Sequence, residues 1–413
     1  MLVHRCGAGL LLLAACSLPV TAQEAETGIA VPVTITGGAL YSHRMLGDNP
    51  AAGPLAGAFH AAFSPSLRLN AHWFAYASIQ LRSTPFYYYD AFDADHDIKL
   101  QAVQAFVGYT RTYKSARLLV KAGQLVTAFG SFPLHYDDAD NALLDQPLSY
   151  STYLKLPPLP RACNAQVFTQ NQDAPWTGSP CGGWQADEYG LTPVTLYGLP
   201  GVEVDLSVHK LDARLQLTNS SPANPQNLLS GSQHAQWAAG GGYTIIQGFR
   251  VGGSVFQGPY LDRTAAAFLP PGKTVSDFPA TGAGLDAQWA RGRWSTSGEW
   301  QWFRFNSPGY RISPSMSVAY AEVKAVLTPR FYAALRVADQ RNGRVADLTQ
   351  QTTEAFEANV QAYEFAVGYR PDRWQLFKIG YEWLKSNDIP GTRDNVLGVQ
   401  LVTSIQPLSK AWR

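Results

Sequence analysis

Apolar and polar residues alternate without a break from Leu67 to Arg82. Leu67, Leu69, Ala71, Trp73, Ala75, Ala77, Ile79 and Leu81 share one parity, and Arg68, Asn70, His72, Phe74, Tyr76, Ser78, Gln80 and Arg82 the other. A period of two predicts one strand with an apolar and a polar face. It would far exceed the about 5–6 residues usual in globular proteins. The pattern returns at Val202–Val208, Leu215–Leu217, Ala283–Trp289, Phe331–Val337, Phe377–Trp383 and Leu397–Ile405.

Connections alternate too. Tight turns are predicted at Ser64-Pro65-Ser66, Lys114-Ser115, Lys210-Leu211-Asp212, Gln247-Gly248, Ala290 to Gly292, Thr328-Pro329-Arg330 and Arg370 to Arg373, with longer loops between them. This plan gives about sixteen antiparallel strands, seven short turns and eight long loops, with both chain ends on one side. The predicted fold is all-β, a transmembrane barrel, since lipid accepts a sheet only when closure leaves no unpaired edge. Aromatic residues near segment ends (Phe86 to Tyr89, Tyr109, Tyr113, Trp289, Trp294, Trp383) read as girdles at the membrane boundaries. A water-soluble sandwich or propeller is the competing fold, and it predicts shorter strands.

Composition narrows the classes. Charged residues are 15% of the 413, hydrophobic residues 46% and aromatics 12%, with a net charge of +1. After the N-terminus no apolar run approaches the roughly 18 residues of a membrane-spanning helix. A near-zero net charge gives no footprint for nucleic acid, and the aromatic content argues against disorder.

Met1 to Arg5 is a short basic opening, Gly7 to Leu18 is apolar, and Val20-Thr21-Ala22 offers small residues before a cleavage between Ala22 and Gln23. This predicts an export signal over residues 1–22 and a mature domain over 23–413. Leu13-Ala14-Ala15-Cys16 offers the alternative of a lipidated Cys16. Of the remaining cysteines, Cys163 and Cys181 would form one disulfide in an oxidising compartment.

Motifs that suggest chemistry have plainer readings. Gly282-Ala283-Gly284-Leu285-Asp286-Ala287 fits a nucleotide-binding pattern, but alternation continues where a helix is required, so a glycine-rich strand is predicted. Asp93, Asp95 and Asp97 lack the glycine and bidentate glutamate of a calcium loop. Gly240 to Gly242 marks a place where another group, such as a second subunit, approaches the backbone. Glu203 and Asp205 share a strand face and read as lumen lining. No nucleophile–base constellation or metal-ligand spacing stands out, and no enzyme activity, metal or cofactor is predicted.

Lys121 to Pro133 (KAGQLVTAFGSFP) leads into the acidic stretch His135 to Tyr150 (HYDDADNALLDQPLSY). Together they resemble the fifth strand and third loop of bacterial outer-membrane porins, particularly the phosphate- and polyphosphate-selective group and its relatives. Gly190 to Pro222 is similar to the return strand and hairpin of that group. The resemblance implies an outer-membrane location, with lipid and lipopolysaccharide as surroundings, a homotrimer, and a long third loop (134–192) folded into the lumen. Asp137, Asp138, Asp140 and Asp145 would then face the opening. The chain lacks the dense basic ladder of that group, and Ile405 is followed by a tail, Gln406 to Arg413, where a strand-terminal aromatic is usual.

By parity Lys121, Lys324, Arg336 and Lys378 project inward beside Glu299, Glu322, Glu364 and Glu382. Asp137, Asp138, Asp140, Asp145, Lys121, Lys324, Arg336, Lys378, Glu322 and Glu382 are therefore the candidate constriction. Loop acids facing wall bases would set a transverse field that orders polar solutes; alternatively the charges pair and hold the loop to the wall. The expected function is ion transport and passive diffusion of small hydrophilic solutes. A secreted carbohydrate-binding or hydrolytic protein, or a closed-lumen barrel serving as adhesin or anchor, stays open at this point.

Overall fold

A computed structural model of the chain describes residues 27–42, 54–83, 98–132, 137–151, 198–219, 235–261, 269–308, 310–347, 352–355, 359–386 and 393–412. The structure is nearly all β. Its strands are β1 (Thr27–Ser42), β2 (Leu55–Phe63, continued by Ser66–Arg68), β3 (Trp73–Ser83), β4 (Ile98–Tyr113), β5 (Ala116–Leu125), β6 (Leu199–Val208), β7 (Leu211–Thr218) and β8 (Gln236–Ile246). There follow β9 (Phe249–Pro259), β10 (Pro279–Arg291), β11 (Trp294–Phe305), β12 (Ser315–Val326), β13 (Phe331–Asn342), β14 (Val360–Tyr369), β15 (Gln375–Ser386) and β16 (Arg393–Trp412).

Each strand pairs antiparallel with the next, and β16 closes on β1 from Thr27↔Trp412 to Ser42↔Val396. The result is a closed barrel of sixteen strands, with both described chain ends on the side of the short turns. Two-residue turns link β4 to β5 and β6 to β7, and there Lys114 and His209 take the left-handed conformation (φ 45 and 54°). Gly248 and Gly292 supply the positive φ of two further tight turns.

The alternating stretch Leu67 to Arg82 is two strands and not one. Asn70 Oδ1 accepts the N–H groups of His72 and Trp73, both at 2.8 Å, and folds the chain back between Arg68 and Trp73. Leu67 and Ala75 are then directly opposite partners. The parity pattern runs through the turn unchanged, which is why it hides the reversal. Conversely Ser64-Pro65 is no turn: Ser66–Arg68 still pairs with β1 and β3, so Pro65 only interrupts β2. The β1–β16 register slips between Val31 and Val33, around Pro32. Pro32 accepts a bond from Ser64 N and Pro65 one from Ala77 N. Prolines cannot donate to a ladder and collect at such irregularities. The stretch after Ile405 is no tail, because β16 runs through Pro407 to Trp412.

Burial sorts the two parities. Val202, Val204 and Leu206 on β6, Phe331, Leu335 and Val337 on β13, and Phe377, Ile379 and Tyr381 on β15 are exposed, whereas Glu203, Arg336 and Lys378 between them are buried. An apolar exterior around a polar interior is the surface pattern of barrels that cross lipid. Trp73, Tyr113, Trp294 and Phe331 ring the short-turn end of that exterior. Tyr109, Trp289 and Trp383 also lie on the outward parity; Phe86 to Tyr89 lie outside the described residues. No described helix is long and apolar enough to cross a membrane. The Gly282–Ala287 motif lies within β10, the strand expected for it.

Candidate functional site

β5 ends at Leu125, and the chain that follows hydrogen-bonds to inward side chains of β1, β2 and most strands from β7 to β16. Gln216 of β7 holds its start, accepting from Ala128 N at 3.1 Å and donating to the Val126 carbonyl at 2.7 Å. Ser254 of β9 accepts from Gly130 N, and Arg214 of β7 donates to the Gly130 carbonyl at 2.6 Å.

Two wall carboxylates collect the donors of this segment. Glu299 of β11 is buried and accepts six bonds: from Ser131 N and Oγ, Phe132 N, Tyr150 Oη, Tyr320 Oη and Gln301 Nε2, at 2.5–3.2 Å. Glu364 of β14 accepts from Leu144 N at 2.8 Å and Asp145 N at 3.2 Å. A buried carboxylate is tolerated when its lone pairs are filled in this way.

Wall cations collect the acceptors. Lys378 of β15 has 0% exposure and donates to the carbonyls of Asp138, Asn141 and Leu143 at 2.9–3.3 Å. Arg336 of β13 binds Glu322 and Glu364 and donates to the Asp145 carbonyl at 2.9 Å. Arg370, after β14, reaches the Ala139 carbonyl at 2.8 Å, and Gln400 of β16 the Leu144 carbonyl at 2.9 Å. The wall thus binds the segment mainly through its backbone.

Asp138 is a loop carboxylate that meets the wall through its side chain. Its Oδ2 accepts from Thr36 Oγ1 at 2.7 Å and lies 2.5 Å from His60 Nδ1. Burial pushes the Asp138 carboxyl toward protonation, but the His60 ring, the Lys378 charge and the Thr36 hydroxyl outweigh it and hold its pKa below the ordinary aspartate value. Asp137 lies the other way: its side chain reaches solvent, but enclosure within the barrel, with Asp138 and Asp140 adding like charge, raises it.

The candidate constriction therefore separates into groups. Asp138, Asp145, Arg336 and Lys378 are buried where segment and wall meet, whereas Asp137 and Asp140 are exposed. Lys121 stands apart on β5, paired with Glu203 (2.5 Å) and Asp205 (2.9 Å) of β6. Lys324 lies over the Tyr332 ring at 4.6 Å. Glu322 pairs with Arg336, and Glu382 lies opposite Glu364 in the β14–β15 register. Gly240 and Gly242 face inward, where the group that approaches each of them is an arginine side chain of the barrel wall, whereas Gly241 shares the outward parity of Trp237 and Tyr243. A Cβ on Gly242 would collide with the Arg250 guanidinium, and one on Gly240 would lie 2.9 Å from Arg214 Nε. Arg250 in turn bridges Asp212 and Asp286, each at 2.7 Å.

Residues outside the candidate set hold much of this arrangement: Thr36, His60, Gln216, Glu299, Glu364, Arg370 and Gln400. Inward parity was the available signal for Glu299 and Glu364; nothing in the chain order pairs His60 with a residue 78 positions later.

Apolar packing fills another part of the interior. Phe129 packs on Phe256 and Phe303, with ring centroids 4.9 and 5.6 Å apart, in a cluster that includes Tyr150, Tyr260 and Phe305. Leu143 sits among Tyr332, Ala334, Ala366, Leu376 and Val402. By contrast Phe74, Tyr76 and Gln80 of β3, Phe106 and Thr110 of β4, Lys121 of β5 and Asp205 of β6 remain half-buried. This arc of wall keeps contact with the lumen. The signal at Ala22–Gln23, Cys163 and Cys181, and Asp93, Asp95 and Asp97 lie outside the described residues.

No protein family and no curated protein matches the sequence. Solved structures do match in fold. The outer membrane channel DcaP of Acinetobacter baumannii superposes with a TM-score of 0.55 at 10% identity, over 92% of this chain and 98% of that one. OmpT, an outer membrane protein of Vibrio cholerae, gives 0.54 at 8% identity, over 91% and 97%. An anion-selective porin from Comamonas acidovorans gives 0.53 at 9% identity, over 92% and 100%. These similarities are to outer-membrane porins and channels as a fold, and their low identity carries the architecture alone.

Proposed function

We propose that the chain is a porin of a bacterial outer membrane, through which small hydrophilic solutes or ions cross by passive diffusion. The observation that carries this reading is the closed barrel with an apolar exterior and an interior wall on whose β3–β6 arc Phe74, Tyr76, Gln80, Phe106, Thr110, Lys121 and Asp205 are only half-buried. A solute would pass between that arc and the described stretches 126–132 and 137–151. Size would be limited by how firmly Glu299, Glu364, Arg336 and Lys378 hold the segment back. Charge preference would rest on Asp137, Asp140, Lys121 and Asp205, the groups left partly accessible. A homotrimer fits this reading, since one of the structures of similar fold is described as a trimer form. Phosphate selectivity is the finer form of the proposal, in which solute phosphates would meet Lys121, Arg214 and Arg250. Chemistry is not needed: the strands shield the backbone from lipid and the wall supplies water-like contacts.

The test is reconstitution of the detergent-extracted, folded protein into planar bilayers. Stepwise, ohmic conductance is expected. A folded barrel giving no steps would overturn the channel reading and favour a closed-lumen anchor.

A further inference from the structure

Five of the seven short turns carry an exposed cation: Lys114, Lys210, Arg293, Arg330 and Arg373. Against them these turns hold one acid, Asp372, whose Oδ1 accepts from the N–H groups of Trp374 and Gln375. None of the five cations forms an ion pair among the described residues. At the opposite end the described residues include two cations paired with acids, Lys273 with Asp277 at 3.2 Å and Arg341 with Asp339 at 2.7 Å, beside exposed Arg304 and Arg344, which have no acid partner among the described residues. The described short turns therefore carry an excess of positive charge.

A second observation fixes the depth of that charge. Arg111 shares the outward parity of β4 with exposed Val107 and Tyr113, so it points at lipid and not into the lumen. Its guanidinium lies 4.5 Å from the centre of the Tyr113 ring, and that of Arg373 lies 4.3 Å from the Trp374 ring. A lipid-facing arginine keeps its charge by reaching the headgroups, and aromatic rings settle at the same level. Guanidinium also matches phosphate oxygens in a two-pronged geometry that ammonium does not.

We infer that the short-turn rim binds anionic glycerophospholipid headgroups of its own leaflet. Arg111 and Arg373, steadied over Tyr113 and Trp374, grip the phosphate, while Lys114, Arg293 and Arg330 favour lipids that carry no compensating ammonium. This rests on the barrel spanning a membrane, but not on its conducting solutes.

Electron spin resonance of the protein in dioleoyl-phosphatidylcholine bilayers tests it, with spin-labelled phosphatidylglycerol or phosphatidylcholine as the probe. The fraction of probe held immobile by the barrel should be several-fold greater for phosphatidylglycerol at low salt. The difference should collapse at high salt, as expected for cations each contributing about fivefold in association near the surface. R111Q/R373Q should remove most of the preference. Heat-modifiable electrophoretic mobility confirms that the variant is folded, and the salt titration of the unaltered protein gives a readout independent of any variant. Equal immobilisation of the two lipids, or a preference unchanged in folded R111Q/R373Q, would overturn the inference. Conductance measured on the same preparation separates the two readings: lipid preference without conductance sinks the channel, and conductance without preference sinks the rim.

Discussion

The Asp138 carboxylate and the His60 imidazole, 78 residues apart in the chain, lie 2.5 Å from each other inside the barrel. The contact ties the segment after β5 to β2, five strands around the barrel from the Gln216 contact with which that segment begins. Thr36 donates to the same carboxylate and Lys378 to the Asp138 carbonyl, so the tie depends on charge as well as shape.

Acid should loosen this tie. The folded-state pKa of Asp138 lies below the ordinary value, so its contribution is fully present above the unfolded aspartate pKa of about 3.9. It is lost as pH falls through the lower folded value. Single-channel traces should show growing current noise or brief closures below about pH 4, and D138N should show them at neutral pH. A quiet D138N channel would remove the tie from the gating of the segment.

Removing Glu299 should cost more than removing a charge. In E299A the buried donors of Ser131, Phe132, Tyr150 and Tyr320 lose their acceptor, at about 1–3 kcal/mol for each donor left unsatisfied. The thermal midpoint of the heat-modifiable transition should drop in E299A and recover in part in E299Q, which keeps one acceptor oxygen.

Charge preference should follow exposure. Asp137 and Asp140 are exposed whereas Asp138 and Asp145 are buried. Reversal potentials in a salt gradient should move toward anions in D137N/D140N. An unmoved potential would take both residues out of the conduction path.

Inward and outward glycines should respond differently to the same methyl group. Gly242→Ala places a Cβ against the Arg250 guanidinium, which bridges Asp212 and Asp286; around Gly37 there is nothing within 4 Å of an added Cβ. Overpacking costs about 1–3 kcal/mol. Chemical denaturation should therefore show G242A clearly destabilised and G37A close to the unaltered protein.

The inside–outside assignment was legible in the chain itself, because a strand's side chains alternate whatever it pairs with. Val202 and Glu203, or Phe377 and Lys378, needed no partner to be sorted. The same local signal could not distinguish Leu67 to Arg82 as one strand from a hairpin. Asn70 reverses the chain in a turn that preserves parity, and a period of two carries no information about direction. Pairings inside the lumen were beyond reach for a different reason. Which carbonyl Lys378 binds, and that Glu299 gathers donors from Ser131, Phe132 and Tyr150, depend on contacts between residues more than a hundred positions apart. Alternation along each strand, a local property, determined the barrel and its two faces. Closure of the sheet, a global one, decided how the segment after β5 is held, because only closure brings β2, β7, β11 and β15 around a single interior.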